Sequence, residues 1–86
     1  MKLILCRSCG DIVATRAARR TCQCGKSWST YTNARDAIYG GEAIPLGLAN
    51  KSLATALANR PASAGGSRFE AFVIPIECPT YRKVPA

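Results

Sequence analysis

Four of the five cysteines in this 86-residue chain fall within its first 24 positions, as Cys6-Arg-Ser-Cys9-Gly and Cys22-Gln-Cys24-Gly, two close pairs separated by twelve residues. A chain this short has a high surface-to-volume ratio, so its apolar core is marginal unless something cross-links it. Two turns that each carry two thiolates supply the four corners of a tetrahedron, which is what a structural zinc ion requires. The odd cysteine count, the tight pairing and the lack of an export signal favour a metal over disulfides, and with it a reducing compartment. The apolar run Leu3-Ile4-Leu5 is too short for a signal-peptide core, and no stretch reaches the roughly 20 apolar residues of a membrane span. The expectation is a soluble, cytoplasmic protein with Zn²⁺ held by Cys6, Cys9, Cys22 and Cys24.

Each cysteine pair is followed by glycine, and Gly10 gives the backbone freedom for a tight turn around an ion. At this point the chain resembles the zinc-ribbon family, whose metal lies between two β-hairpin knuckles of the C-x2-C-G kind. Cys6 to Gly10 match that pattern, whereas Cys22-Gln23-Cys24-Gly25 is one residue short. The resemblance covers about the first third of the chain and implies a closed structural site. Cys78 is the other candidate for the fourth ligand, in place of Cys22 or Cys24. A rubredoxin-like iron site also uses two cysteine knuckles, but the short second pair and the basic charge speak for zinc.

Apolar residues at 48% and charged residues at 20% are the composition of a globular domain. We read one α+β domain over residues 1–86, with a zinc ribbon of short antiparallel strands at 1–32 and a strand-helix-strand extension at 33–86. Residues 2–5, 11–15 and 27–32 suit short strands, and Trp28 is expected beside the metal site. Thr15 to Thr21 reads as an exposed loop, and Asn33 to Asp36 as a turn into Ala37-Ile38-Tyr39, with Gly40-Gly41 as a break. Pro45 lacks the donor a central ladder needs, which predicts an edge or bulge for Ala43-Ile44-Pro45-Leu46. One helix of about two turns follows, capped by Asn50 or Ser52, with Leu53, Ala54, Leu57 and Ala58 as its apolar stripe and Pro61 as its stop. After a Pro, Ser and Gly-rich connector, Arg68 to Ile76 reads as the strongest strand, buried against helix and sheet. Regular structure is expected to fade after Cys78, where prolines punctuate the tail.

The formal net charge is +7, and six cations against one acid give residues 1–26 +5 of it. A divalent ion on four thiolates is formally −2, so part of that excess offsets the site itself. Catalysis is not expected: there is no histidine. The carboxylates Asp11, Asp36, Glu42, Glu70 and Glu77 form no motif, and four thiolates leave a zinc ion no open position for water. The leading function is a binding module for phosphate-bearing ligands, foremost nucleic acid, in which Arg7, Arg16, Arg19, Arg20 and Lys26 meet phosphates and Trp28 or Tyr31 stacks on a base. The same arginines also read as a solvated face that offsets the thiolates.

A second possibility is capture of a nucleotide signalling molecule at Asn50, Lys51 and Ser52, with Gly65-Gly66-Ser67-Arg68 as a further anion-facing turn, across a possible homodimer. Asn50 and Ser52 are equally readable as plain helix caps. In general character the chain also looks like the accessory proteins that bacteriophages encode, some of which sequester host signals. A third possibility is a protein-interaction module that docks a partner through Ile44-Pro45-Leu46 or a strand edge.

Overall fold

In the computed structural model, which describes residues 1–85, the chain is mixed α+β and mostly β. Its elements are β1 (Lys2–Cys6), β2 (Ile12–Ala14), β3 (Arg20–Thr21), β4 (Ser27–Tyr31), β5 (Ala37–Gly41), β6 (Ala43–Leu48), α1 (Asn50–Ala58), β7 (Ala71–Val73) and β8 (Tyr81–Lys83). They form two four-stranded sheets, a first ordered β2-β1-β6-β7 and a second ordered β3-β4-β5-β8. Two local hairpins begin the sheets, β1–β2 in one and β3–β4 in the other. The expected boundary at residue 32 falls in the turn of the β4–β5 hairpin, so both sheets draw strands from both sides of it.

Strand alternation turns one face of each sheet inward. Ile4, Cys6, Val13 and Ala43 of the first sheet and Ala37, Tyr39 and Tyr81 of the second share one buried cluster with Cys22 and Ile74. Three hydroxyls of this core pair with one another: Thr15 Oγ1 lies 3.1 Å from Ser29 Oγ and 2.8 Å from Tyr81 Oη. Tyr39 and Tyr81 meet edge to face with ring centroids 5.0 Å apart, a geometry that adds to their area burial.

The chain crosses from the second sheet to the first at Gly41-Glu42. Gly41 has φ +74°, and a side chain there would strike the Lys26 carbonyl oxygen, so glycine is required on both counts. The pair Gly40-Gly41 therefore does not break the strand as expected: both residues lie within β5.

Several expectations change with the tertiary pairing. Pro45 sits in β6, an interior strand between β1 and β7, and not at an edge. Its carbonyl accepts from Ile74 N at 2.9 Å, and the reciprocal bond that it cannot donate falls where the β6–β7 ladder stops, so the proline ends that pairing and does not interrupt it. The run from Arg68 to Ile76 is a strand only over Ala71–Val73, and that strand is exposed. It lies at the outer edge of the first sheet, and the buried Ile74 and then Pro75 follow it. Its apolar side chains, among them Phe72 and Val73, face solvent. The chain does not lose structure after Cys78: β8 pairs with β5, in parallel, and delivers the fully buried Tyr81.

The helix matches its predicted length but buries none of its residues. Neither predicted cap is used. Ala49 occupies the N-cap position without a side-chain bond, Asn50 Oδ1 accepts from the N-terminal ammonium at 2.9 Å, and Ser52 Oγ accepts from Glu70 N at 2.8 Å. Among the described residues no helix is long and apolar enough to cross a membrane.

Because β8 carries the largest buried side chain, the C-terminal strand is structural. Tyr81→Ala should cost about 3–5 kcal/mol and lower the thermal midpoint by well over about 10 °C at this chain length. A calorimetric midpoint equal to that of the wild type would contradict the position of β8.

Candidate metal centre

The first cysteine pair lies at the turn of the β1–β2 hairpin and the second at the turn of the β3–β4 hairpin. In the first turn Cys6 N donates to Asp11 O at 2.9 Å and Gly10 N donates back to Cys6 O at 2.8 Å, with Gly10 at φ +74°. In the second, Cys22 N donates to Ser27 O at 2.9 Å and Gly25 N to Cys22 O at 3.1 Å, with Gly25 at φ +81°. Both turns thus close five residues after their first cysteine. The residue missing before Gly25 is restored after it, by Lys26, and this compensation resolves the anomaly of the short C-x-C pair.

The turns bring the Sγ atoms of Cys6, Cys9, Cys22 and Cys24 within 4.8 Å of one another, close enough to hold one metal ion. Cys24 Sγ lies 3.6 Å from Cys6 Sγ and 3.5 Å from Cys22 Sγ. Cys6 and Cys22 are buried, whereas Cys9 and Cys24 are exposed. Cys78 is not among the four. Its sulfur sits 3.5 Å from Thr80 Oγ1, beside the core, so it replaces neither Cys22 nor Cys24.

The surroundings favour anionic sulfur. Cys22 Sγ accepts from Ser27 N at 3.3 Å. Ser27 Oγ is buried and makes no fully formed hydrogen bond among the described residues. Yet its hydroxyl, facing Cys6, is the largest influence that lowers the Cys6 thiol to about 6, against burial and with help from the Cys9 and Ser8 amides. Cys24 moves the other way. The Lys26 amide favours its thiolate, but burial and the crowding sulfurs of Cys22, Cys9 and Cys6 push it up to about 12. Four thiolates this close repel one another, and only a cation among them lets all four ionise. The donor set and the poised Ser27 hydroxyl therefore fit a thiophilic metal.

A second ring of contacts ties the two turns together. Gln23 N donates to an Asp11 carboxylate oxygen at 2.9 Å. Glu42, at the sheet crossing, accepts from Arg7 N and donates to Lys26 O, both at 3.0 Å, and pairs with the Arg7 guanidinium at 3.4 Å. Ser27, Gly41 and Glu42 were not singled out from the sequence. The signal for Ser27 was its place five residues after Cys22, matching Asp11 after Cys6; Gly41 and Glu42 carry no local signal.

The predicted ligand-contacting residues separate into two groups. Arg16, Arg19, Arg20 and Lys26 are exposed on the second sheet and its turns, whereas Arg7 is engaged by Glu42. Asn50, Lys51, Ser52 and Arg68 belong to the helix and the segment before β7. Lys51, Ser52 and Arg68 line one open cleft of about 360 Å³ with Thr55, Asn59 and Ser67, whereas Asn50 holds the N-terminus instead. Trp28 does not pack beside the cysteines. It is half-buried on the outward face of β4, and Arg19 Cζ lies 3.9 Å from its ring centroid. Tyr31 is half-buried against the core with Lys2 Nζ over its ring at 5.3 Å. The chain matches no family model, no curated protein and no solved structure.

Chelation, or Cys9→Ala, should remove one metal ion per chain and lower the thermal midpoint by about 10 °C or more, because binding free energy at such a site is folding free energy. Cys78→Ser should keep the metal in native mass spectrometry. Metal uptake at pH 7 should release fewer than four protons, since a Cys6 thiol at about 6 is already ionised there. The sign for stability follows. Cys6 is lowered from its ordinary 9.0, so its contribution is complete above pH 9 and is lost as the pH falls through 6. Proton competition for the metal acts in the same direction. Release of four protons at pH 7, read with a pH indicator, would refute this assignment.

Proposed function

We propose that the chain is a non-catalytic, zinc-stapled module of zinc-ribbon type that binds nucleic acid through its phosphates. Zinc suits the centre because a tetrahedron with Zn–S bonds of about 2.3 Å has edges of roughly 3.8 Å, against the 3.5 and 3.6 Å sulfur separations at Cys24. Four thiolates close the coordination sphere, so the ion serves the fold and leaves no position for a reacting water.

The observation that carries the binding assignment is the charge of the second sheet. Its four strands hold Arg20, Arg82 and Lys83 and no Asp or Glu, and the turns at its edge add Arg16, Arg19 and Lys26. The strands of the first sheet hold one cation, Lys2, and no acid. With the −2 of the thiolate site deducted, the whole chain remains near +5, and the second sheet with its turns holds six of the twelve cations. A polyanion gains affinity there by counterion release.

Anisotropy titrations with labelled oligonucleotides should show affinity falling steeply as salt rises. Replacing Arg16, Arg20 and Lys26 together by Ala should reduce the slope of log K against log[salt] by about 2, at roughly 0.7 per lost contact to a single strand. Absence of binding to any oligonucleotide at low salt would sink the proposal.

A second reading is favoured by the cleft that gathers Lys51, Ser52 and Arg68. Two cations and several hydroxyls suit a small phosphate-bearing ligand, such as a nucleotide signal of the kind phage accessory proteins sequester. Saturable calorimetric binding of a mononucleotide or dinucleotide, lost in Lys51→Ala and Arg68→Ala, would establish it. Protein contact has a surface of its own in the outward face of the first sheet, where Leu3, Leu5, Ile12, Ile44, Leu46 and Val73 share one apolar side by register. Two copies of the chain would meet there if it dimerises.

A further inference from the structure

We infer that the nucleic acid is single-stranded and that one of its bases stacks on Trp28, at the outward face of the second sheet. The inference rests on the nucleic-acid reading above and adds the class of ligand and the residue that receives it.

The outward face follows from strand alternation. Ser27, Ser29, Ala37 and Tyr39 are buried on the inner side, which leaves Trp28, Thr30, Ile38 and Gly40 on the outer one. Register adds Thr21, opposite Trp28, and Arg82, beside Ile38. Trp28 lies at the middle of this face, over Gly40. A Cβ built on Gly40 would meet Nε1, Cε2 and Cζ2 of the indole at 2.5, 2.6 and 2.7 Å. These are consecutive atoms of one edge of the indole, so that edge of the ring lies against the glycine. The exposed Arg19 side chain lies over the ring, with Cζ 3.9 Å from its centroid.

A large aromatic on the outward face of a sheet, with one edge against a glycine and a cation over its ring, offers an unpaired base a stacking platform. Arg19 lies over the ring, Arg82 stands beside Ile38 on the same face, and no carboxylate lies in any strand of this sheet. The two acids adjacent to β5 in the chain are both engaged: Asp36 by Asn33 Nδ2 at 3.0 Å and Glu42 by the Arg7 guanidinium at 3.4 Å. The loop before Arg19 is fixed at its base, where Tyr31 N donates to Arg16 O at 2.9 Å and Thr30 Oγ1 to Ala17 O at 3.0 Å. The Arg19 side chain can therefore leave the ring without unfolding the loop. An incoming base takes the ring face, and the displaced guanidinium turns to a phosphate. A duplex hides its base faces within the stack and cannot make this exchange, so selectivity for single strands follows.

Trp28 is the only tryptophan of the chain, which makes intrinsic emission a reporter of this one position. Metal-loaded protein is titrated at low salt with a 12-nucleotide mixed-sequence single strand and, separately, with the same sequence as a duplex. The single strand should quench the emission saturably and bind at least about tenfold more tightly than the duplex. Trp28→Ala should lose roughly tenfold to a hundredfold in single-strand affinity, the range that loss of one stacked base implies, while the salt slope stays at its wild-type value because phosphate contacts remain. Should Trp28→Ala fail to fold, the wild-type emission decides alone. Anisotropy-detected binding of the single strand without a change in emission, or a duplex bound as tightly, overturns the inference and leaves the nucleic-acid reading standing. Failure of both oligonucleotides to bind overturns both.

Discussion

The four sulfurs of Cys6, Cys9, Cys22 and Cys24 form the junction on which the rest of the fold depends. Two of them end a hairpin of one sheet and two end a hairpin of the other, so an ion at their centre clasps the sandwich at one end. The apolar core between the sheets is small, and its largest fully buried side chains include Tyr81, Ile4 and two serines. Such a core gains little from burial alone. The clasp supplies what the core lacks, and mutual repulsion among four close thiolates means that it does so only with a cation inside.

Around that junction the chain has arranged a sequence of short-range supports. Backbone amides and the Ser27 hydroxyl face the sulfurs, Asp11 bridges the two turns, and Glu42 reaches both from the point where the chain changes sheets. These partners orient ligands and neutralise charge locally. Arg7, which pairs with Glu42, belongs to this local balance and less to any outer surface. Six others, Arg16, Arg19, Arg20, Lys26, Arg82 and Lys83, lie exposed on the strands and turns of the second sheet. The outward face of the first sheet is apolar, so the two sides of one small sandwich present opposite chemistries to a partner.

Much of the centre was legible in the chain itself. The cysteine spacing and the paired glycines identify the ligands, because a thiolate pair in a tight turn is a local object whose geometry depends on a few consecutive residues. Strands β1, β2 and β4 were legible for the same reason, as was the helix between Asn50 and Ala58, whereas β3 falls in the Thr15 to Thr21 stretch that reads as a loop until β4 pairs with it. The errors lie where a residue's meaning depends on a distant partner. Pro45 reads as an edge residue until one sees that its donor-less side faces the end of β7. The apolar run around Phe72 reads as a core strand, yet nothing covers it. Trp28 reads as core beside the metal, but strand alternation sends it outward onto Gly40.

The amino-acid sequence by itself determined which four cysteines could share a metal ion and the sign of the charge. Each follows from residue type and spacing over a few positions. Only the tertiary structure decided that Cys78 stands apart, that the chain splits into two sheets at Gly41-Glu42, and that β8 returns to bury Tyr81 beside β5. It also decided which cations gather on one sheet and which aromatic faces outward. Those outcomes rest on pairings between residues up to 66 positions apart, such as Thr15 with Tyr81, and no local pattern encodes a contact whose partner is chosen by the packing of the whole chain.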